Sequence, residues 1–470
     1  VVIRNTAGIG NVVRPEPMSH IDRSRIDPHL LEYVIFDFIY IFYDELDLPP
    51  PAASPAIDVK FSDAGESLPK LAGVRDLELA DFDLDGDLEL IVLADAKLSV
   101  WKRDAESEAW KSITSFELGP GGARGFVVAD LDRDNKETPP RKDNDVRPCL
   151  DADIDVIVYG EAGILVLQNK LNPDTGKRTL EPMRQDEALA GIKQVLTAAL
   201  FDVDHDGDLD LAVSTQAGMS IWSNRDDLTF ADISNRSALP PDGVRPTKIV
   251  PVDWNRDVAI DLVLGDGETG KVGYLENLMH GSLRWQEFGP DFNLPEKVKS
   301  IAVAELDGNA SWDLIASGEQ QLDSILTTTP GDSQPSQLRQ ETLGGGDLQH
   351  LLTWDYDNDG YRDLLAWNDD AVSLFRGLPD GSFNEASNVL TIAGKQIADC
   401  VTGDIDGDGD FDVVAATGDG IALYRNDGGN SNGWIDVSLS ADPAKKPSDA
   451  SKRVNMHGVG SLLELKAGNT

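Results

Sequence analysis

The residues with the clearest chemistry are Asp404-Ile405-Asp406-Gly407-Asp408-Gly409-Asp410-Phe411-Asp412, which put carboxylates at positions one, three, five and nine of a nine-residue loop. Carboxylates spaced in this way can wrap a hard divalent cation. Calcium takes six to eight oxygens at about 2.3–2.6 Å, so alternate acids plus a position-seven backbone carbonyl, here that of Asp410, can converge on one point. Gly409 at position six permits a positive φ because it has no Cβ to clash.

The element recurs six times before this stretch. Loop one supplies Asp81, Asp83, Asp85 and Glu89, with Asp87 at position seven. Loop two supplies Asp130, Asp132 and Asp134, and its ninth acid is displaced to Asp155 by an insertion from Lys136 to Ala152. Loop three has Asp202, Asp204, Asp206 and Asp210 with Asp208 at position seven; loop four has Asp253, Asn255, Asp257 and Asp261. Loop five has Glu305, Asp307, Asn309 and Asp313, and loop six has Asp355, Asp357, Asp359 and Asp363 with Tyr361 at position seven. Loops one, three, six and seven combine all four acids with a position-six glycine (Gly86, Gly207, Gly360, Gly409) and are the expected calcium sites. Val258 at position six of loop four should resist positive φ, which predicts a distorted or empty site there. An EF-hand is excluded, since position twelve is Val92, Val213, Leu264, Ala366 or Ala415 where that motif needs a bidentate Glu.

Loop starts lie 49, 72, 51, 52, 50 and 49 residues apart, and the 72-residue interval is the one holding the insertion. A period near fifty signals a repeat architecture. Each unit reads as an apolar strand into the loop (Phe126 to Ala129, Ile301 to Ala304), then a second strand out of it (Leu90 to Leu93, Leu262 to Leu264), both fully buried. A turn and a third strand with an apolar pair follow (Val100-Trp101, Ile221-Trp222, Leu423-Tyr424), then a variable fourth strand such as Ser112 to Leu118. Four-stranded sheets repeated radially make an all-β, seven-bladed propeller with protected edges. Ring closure requires a strand near Ala56–Phe61 to complete the blade that holds loop seven.

The D-x-D-x-D-G-x-x-D loop, its following apolar strand, the Gly turn and the short Leu/Trp/Tyr strand resemble the FG-GAP/VCBS repeats of integrin-α-like propellers over residues 57–426. That resemblance implies calcium in the loops and recognition of partners, protein or carbohydrate, by the propeller faces. Residues 430–470, with Asn430-Ser431-Asn432-Gly433-Trp434-Ile435-Asp436-Val437 and a Gly458-Val459-Gly460 strand, look like the start of an ASPIC/UnbV domain.

The remaining chain divides into residues 1–56, ending in a proline-rich linker, and residues 427–470, a Gly/Asn-rich flexible joint plus the partial C-terminal segment. Leu31 to Tyr43 is apolar but too short and too charged to span a bilayer, and reads as a buried strand or helix. Net charge is −42, with 83 acidic residues against 41 basic ones, which argues against nucleic acid and anionic membranes as partners. The exception is the loop-two insertion, whose Arg141, Lys142 and Arg147 between Pro139, Pro140 and Pro148 could form a basic finger. Two cysteines, Cys149 and Cys400, are too few for a disulfide framework. No H-E-x-x-H, G-x-S-x-G, Walker A or C-x-x-C occurs, and the six histidines show no ligand spacing; His205 is expected to face solvent. The sequence therefore predicts a non-catalytic, calcium-binding recognition or adhesion module, extracellular, periplasmic or on the cell surface, with any export signal upstream of these residues. The competing reading is an enzyme, or an accessory subunit of one, working at the central channel. Oligomeric state is not encoded legibly.

Overall fold

In the computed structural model, the described residues are 58–432, apart from short breaks and residues 132–152, together with the strands Val2–Arg4, Phe38–Ile41, Asp436–Ser438 and Leu462–Leu465. Seven antiparallel four-stranded sheets account for nearly all of it, as the repeat period predicts. The first strands of successive blades are Val74–Ala80, Ala123–Ala129, Val195–Phe201, Lys248–Val252, Ser300–Ala304, His350–Trp354 and Asp399–Gly403. Each touches the first strand of the next blade, and Asp399–Gly403 touches Val74–Ala80, so these seven form the inner ring.

Each second strand begins on the position-nine acid of its loop: Glu89–Ala94, Asp155–Gly160, Asp210–Thr215, Asp261–Gly265, Asp313–Ser317, Asp363–Trp367 and Asp412–Thr417. These strands are almost wholly buried because neighbouring blades cover both faces, which is why they read as unbroken apolar runs. The first strands are not fully buried, contrary to the sequence expectation: Asp76, Glu78, His350 and Asp399 keep partial exposure, because the inner strand carries polar side chains on the face turned to the channel.

The core is distributed between blades. One apolar cluster joins blades one and two through Phe82, Ile91, Leu98, Phe126 and Val156, and another joins blades four and five through Trp254, Tyr274, Val298 and Ile301. The seventh such cluster sets Val414, Ala416 and Leu423 of blade seven against Leu77, Leu90 and Val92 of blade one, closing the circle. Closure is also covalently staggered: Lys60–Asp63 pairs antiparallel with Gly420–Asp427, matching Lys60 to Asp427 and Asp63 to Tyr424. The expected closing strand exists, displaced by a few residues from Ala56–Phe61.

The segment after blade seven departs from a flexible joint. Gly429–Ser431 forms a short 3-10 helix packed on loops six and seven: the Asn430 amide donates to Asp410 Oδ2 at 2.9 Å, and Asn432 Nδ2 donates to the Asp357 carbonyl at 2.9 Å. Beyond it, Asp436–Ser438 pairs with Val2–Arg4, and Leu462–Leu465 pairs in parallel with Phe38–Ile41; the two C-terminal strands fall in stretches read as strands from sequence, Phe38–Ile41 falls in the stretch read as strand or helix, and Val2–Arg4 was not anticipated. The basic insertion of loop two, with Asp132, Asp134 and Cys149, lies outside the described residues. Cys400 is a buried free thiol. Among the described residues no helix is long and apolar enough to cross a membrane.

Candidate metal centres

Each loop links a blade's first strand to its second, so all of them lie at one end of the inner strands and present the same face. Three kinds of carboxylate emerge, distinguished by what their oxygens accept.

The position-nine acid is a clasp. One of its oxygens accepts the position-two amide in every blade: Phe82 to Glu89 at 2.8 Å, Leu131 to Asp155 at 3.3 Å, Val203 to Asp210 at 2.7 Å, Trp254 to Asp261 at 3.0 Å, Leu306 to Asp313 at 2.9 Å, Tyr356 to Asp363 at 2.7 Å and Ile405 to Asp412 at 3.3 Å. In blades two to seven the other oxygen accepts a third-strand amide, from Asn169, Asn224, Asn277, Thr327, Gly377 and Asn426 in turn. Accepting on both oxygens suits an ionised carboxylate. Burial works against ionisation, lifting Asp210 and Asp363 to about 9 and Asp261 to about 8 despite the amides that lower them. A cation in the loop would tip that balance to the charged form. Three of the third-strand asparagines reach further: Asn169, Asn224 and Asn426 donate Nδ2 to the position-two carbonyl of the preceding blade, Phe82, Leu131 and Tyr356, and so fasten loops to neighbours.

The position-one acid folds its own loop. Asp81, Asp202, Asp253, Asp355 and Asp404 each accept the position-five and position-six amides, for instance Asp85 at 3.0 Å and Gly86 at 3.0 Å on Asp81. This wrapping requires left-handed backbone at position six, found at Gly86, Gly207, Gly360 and Gly409 but also at Val258 (φ 82) and Ala310 (φ 64). Loop four keeps the same wrapped backbone, because the two amide bonds from Asp257 and Val258 to Asp253 hold Val258 in the strained region, but among the described residues its acids are not one of the convergent sets. Position four is left-handed as well, at Leu84, His205, Arg256, Gly308, Asn358 and Gly407. The sequence reading did not anticipate this; Gly308 and Gly407 were its one signal. His205 there is exposed, as expected. Val258→Gly should therefore stabilise the protein by about 1 kcal/mol, since positive φ costs a residue with a Cβ about that much. Thermal melts would check it, and a lower midpoint would show that the half-buried Val258 side chain matters more than its backbone.

The position-three acid keeps one oxygen without a donor. Asp83, Asp204, Asp357 and Asp406 each bury Oδ1 from solvent without any donor, as does Oε1 of Glu305 at position one of loop five. Oxygens of Asp81, Asp83 and Asp85 lie within 4.8 Å of one another, and so do those of Asp202, Asp204 and Asp206, of Asp355, Asp357 and Asp359, and of Asp404, Asp406 and Asp408. Glu305, Asp307 and Asp313 form a fifth set, which the ranking by acid count had placed lower. Separations up to 4.8 Å are what ligands at about 2.3–2.6 Å from one calcium would show. Loop four brings Asp253, Asn255, Asp257 and Asp261 together through mutual hydrogen bonds, Asn255 Nδ2 donating to Asp257 Oδ2 at 3.0 Å. Of the position-seven residues, Asp410 accepts the Asn430 amide on Oδ2 and buries Oδ1 without a donor, while Asp208 is buried and Asp87 exposed.

The channel has its own polar residues, placed five before each loop. Asp76, Thr197, Lys248, His350 and Asp399 share that register, and Gly125 holds it in blade two. Asp76 Oδ2 accepts the Phe126 amide of blade two at 2.8 Å, and Asp399 Oδ2 accepts the Leu77 amide of blade one at 3.0 Å, so both carboxyls latch adjacent inner strands. A Cβ on Gly125 would meet Tyr159 Oη at 2.5 Å and Asp76 Oδ2 at 2.6 Å, so glycine is required there. His350 stacks on Trp367 with ring centroids 5.1 Å apart. Asp76 and Asp399 thus hold neighbouring blades together. The channel's pH signature follows: burial, opposed by the Leu79 amide and reinforced by Asp399, lifts Glu78 to about 7. A carboxyl raised in the fold above its unfolded value stabilises the fold below about pH 4.5 and loses that contribution as pH rises through 7, on the order of 2 kcal/mol after allowing for channel water. In EDTA, Glu78→Gln should melt with wild type at pH 5 and several degrees above it at pH 8. Equal midpoints at both pH values would contradict this.

Comparison with known proteins agrees with the repeat reading. The FG-GAP-like repeat family model matches residues 81–137, 202–264 and 355–415, each stretch starting on the first acid of a loop. Cartilage acidic protein 1 of Homo sapiens is 24% identical over 175 residues, 33% of this chain and 26% of that protein, and its Mus musculus counterpart is 23% identical over the same length. The chain thus spans about a quarter of the length of these relatives. Among solved structures, an Agrocybe aegerita lectin that recognises non-reducing terminal N-acetylglucosamine aligns with a TM-score of 0.48 and 16% identity, covering 78% of this chain and 93% of the lectin. BBS1N, solved with ARL6DN, aligns at 0.47 and 12%, covering 77% and 96%. At those scores neither likeness bears on function. Three stretches of this seven-bladed β-propeller thus match the FG-GAP-like repeat.

Proposed function

We propose that this chain is a non-catalytic, calcium-binding propeller, secreted or displayed at a cell surface, whose faces recognise a protein or carbohydrate partner. The observation that carries the metal half is the set of buried, donorless position-three oxygens in loops one, three, six and seven. Asp83, Asp204, Asp357 and Asp406 would hold the ion there together with the acids at positions one and five. Calcium would supply charge neutralisation and rigidity, not chemistry on a substrate. The recognition half is supported by the FG-GAP-like repeats and by relatives named for cartilage and for acidity, a property this chain shares at a net charge of −42. The channel carboxyls Asp76 and Asp399 favour this over catalysis at the channel, because both oxygens of Asp399 and Oδ2 of Asp76 accept backbone amides. Capture of partners from a native envelope or matrix preparation, in millimolar calcium and in EDTA, alongside a glycan array, tests the reading. Calcium-dependent retention of one protein or glycan class is expected; identical capture in both buffers would count against it.

A further inference from the structure

In three blades a basic side chain from the third strand reaches the loop of its own blade, always at the thirteenth residue beyond position nine: Lys102, Arg376 and Arg425. Lys102 Nζ lies 2.6 Å from Asp83 Oδ2, 2.5 Å from Asp85 Oδ2 and 3.2 Å from Glu89 Oε1. Arg376 places Nε 2.6 Å from Asp357 Oδ2 and Nη2 2.6 Å from Asp359 Oδ2, and Arg425 places Nε 2.9 Å from Asp406 Oδ2. In every case the cation takes the outer oxygen of position three, Oδ2, and leaves Oδ1 buried without a donor. The strand explains the constancy. Gly377 and Asn426, the residues after Arg376 and Arg425, give their amides to the position-nine acid, so the preceding side chain is held beside the loop at a fixed register. The residue before that amide is no cation in blades three, four and five: it is Ser223, Glu276, which is turned to Arg284, and Leu326.

We infer that Lys102, Arg376 and Arg425 are built-in counter-ions that keep loops one, six and seven folded without metal and weaken their hold on calcium. The inference rests on the loops being metal sites, as proposed above. Two effects of the cation oppose each other at calcium binding. It orients the acids, but aspartate has few rotamers to lose, so this helps little. It also adds a fixed positive charge one carboxylate away from a divalent ion, and in partly buried surroundings that repulsion dominates. The salt-bridged cations are only 25–31% exposed, so water does little to screen them. Loops of this class would thus be tuned to fill only where calcium is abundant.

The test uses the full chain and Lys102→Met, Arg376→Met and Arg425→Met, with Lys297→Met, which removes an exposed pair with Glu319, as control. Thermal midpoint in EDTA and calorimetric calcium titration are read for each. Each brace variant should melt several degrees lower in EDTA and bind calcium about tenfold more tightly at one site class, while the control matches wild type in both. Weaker calcium binding in the brace variants, or no change in either readout, overturns the inference. Absence of calcium binding by wild type would instead refute the metal reading, and the EDTA midpoint would then decide the counter-ion role by itself: a drop supports it and no drop overturns it.

Discussion

A chain lacking residues 1–64 will fail to form a cooperative propeller, whereas one lacking residues 433–470 will keep it. The N-terminal truncation strips blade seven of Lys60–Asp63 and leaves Gly420–Asp427 as a bare edge strand. It also removes Val59 and Phe61 from the cluster of Trp354, Tyr356, Trp367 and Tyr424, and cuts the Phe61 amide bond to Val389 at 3.1 Å and the Ala64 bond to Leu423 at 2.8 Å. Two apolar side chains at about 2 kcal/mol each and a handful of hydrogen bonds at about 1 kcal/mol each approach a typical domain stability of about 5–15 kcal/mol. Ending the chain after Asn432 preserves the helix that caps loops six and seven. Calorimetry on both truncations decides the matter, and equal midpoints would mean that the ring does not depend on its N-terminal strand.

Calcium should raise the thermal midpoint by on the order of 10 °C over EDTA. A ligand that binds only folded loops adds about 2.7 kcal/mol per site at a hundredfold excess over Kd, and each kcal/mol shifts the midpoint of a large domain by roughly 2–4 °C or less. Repulsion among the acids acts in the same direction, although Lys102, Arg376 and Arg425 already offset part of it. Extracellular calcium loops bind with Kd on the order of 10⁻⁴–10⁻³ M, so the titration should centre in that range. A midpoint that does not move would make these loops structural turns and remove the main argument for export.

The fold was legible because each loop fixes the strands on either side. The position-nine acid both ends the loop and begins the second strand, so seven such acids, about fifty residues apart except around the loop-two insertion, mark seven blades, and the apolar run after each declares a strand covered on both faces. The candidate ligands were legible as a set but not in their division of labour. Asp363 looks like a ligand in a one-dimensional pattern, yet one of its oxygens accepts the Tyr356 amide of its own loop and the other the Gly377 amide of the third strand, contacts that sequence spacing does not reveal. Local propensity disfavours the backbone conformation of Val258, and two amide bonds to Asp253 impose it all the same, a contact that the residue type does not announce. The braces Lys102, Arg376 and Arg425 had a sequence signal in their common offset, hidden because basic residues on a third strand read as solvated surface. The inner strands were misjudged because a channel-facing polar side chain every second or third residue is diluted by the apolar ones that face the neighbouring blades.

Anomalous diffraction from crystals grown in calcium tests the central claim most directly. Peaks are predicted about 2.3–2.6 Å from Oδ1 of Asp83, Asp204, Asp357 and Asp406, with the position-nine acids still bonded to their amides. Crystals in which those four oxygens face no anomalous peak at millimolar calcium would contradict the account.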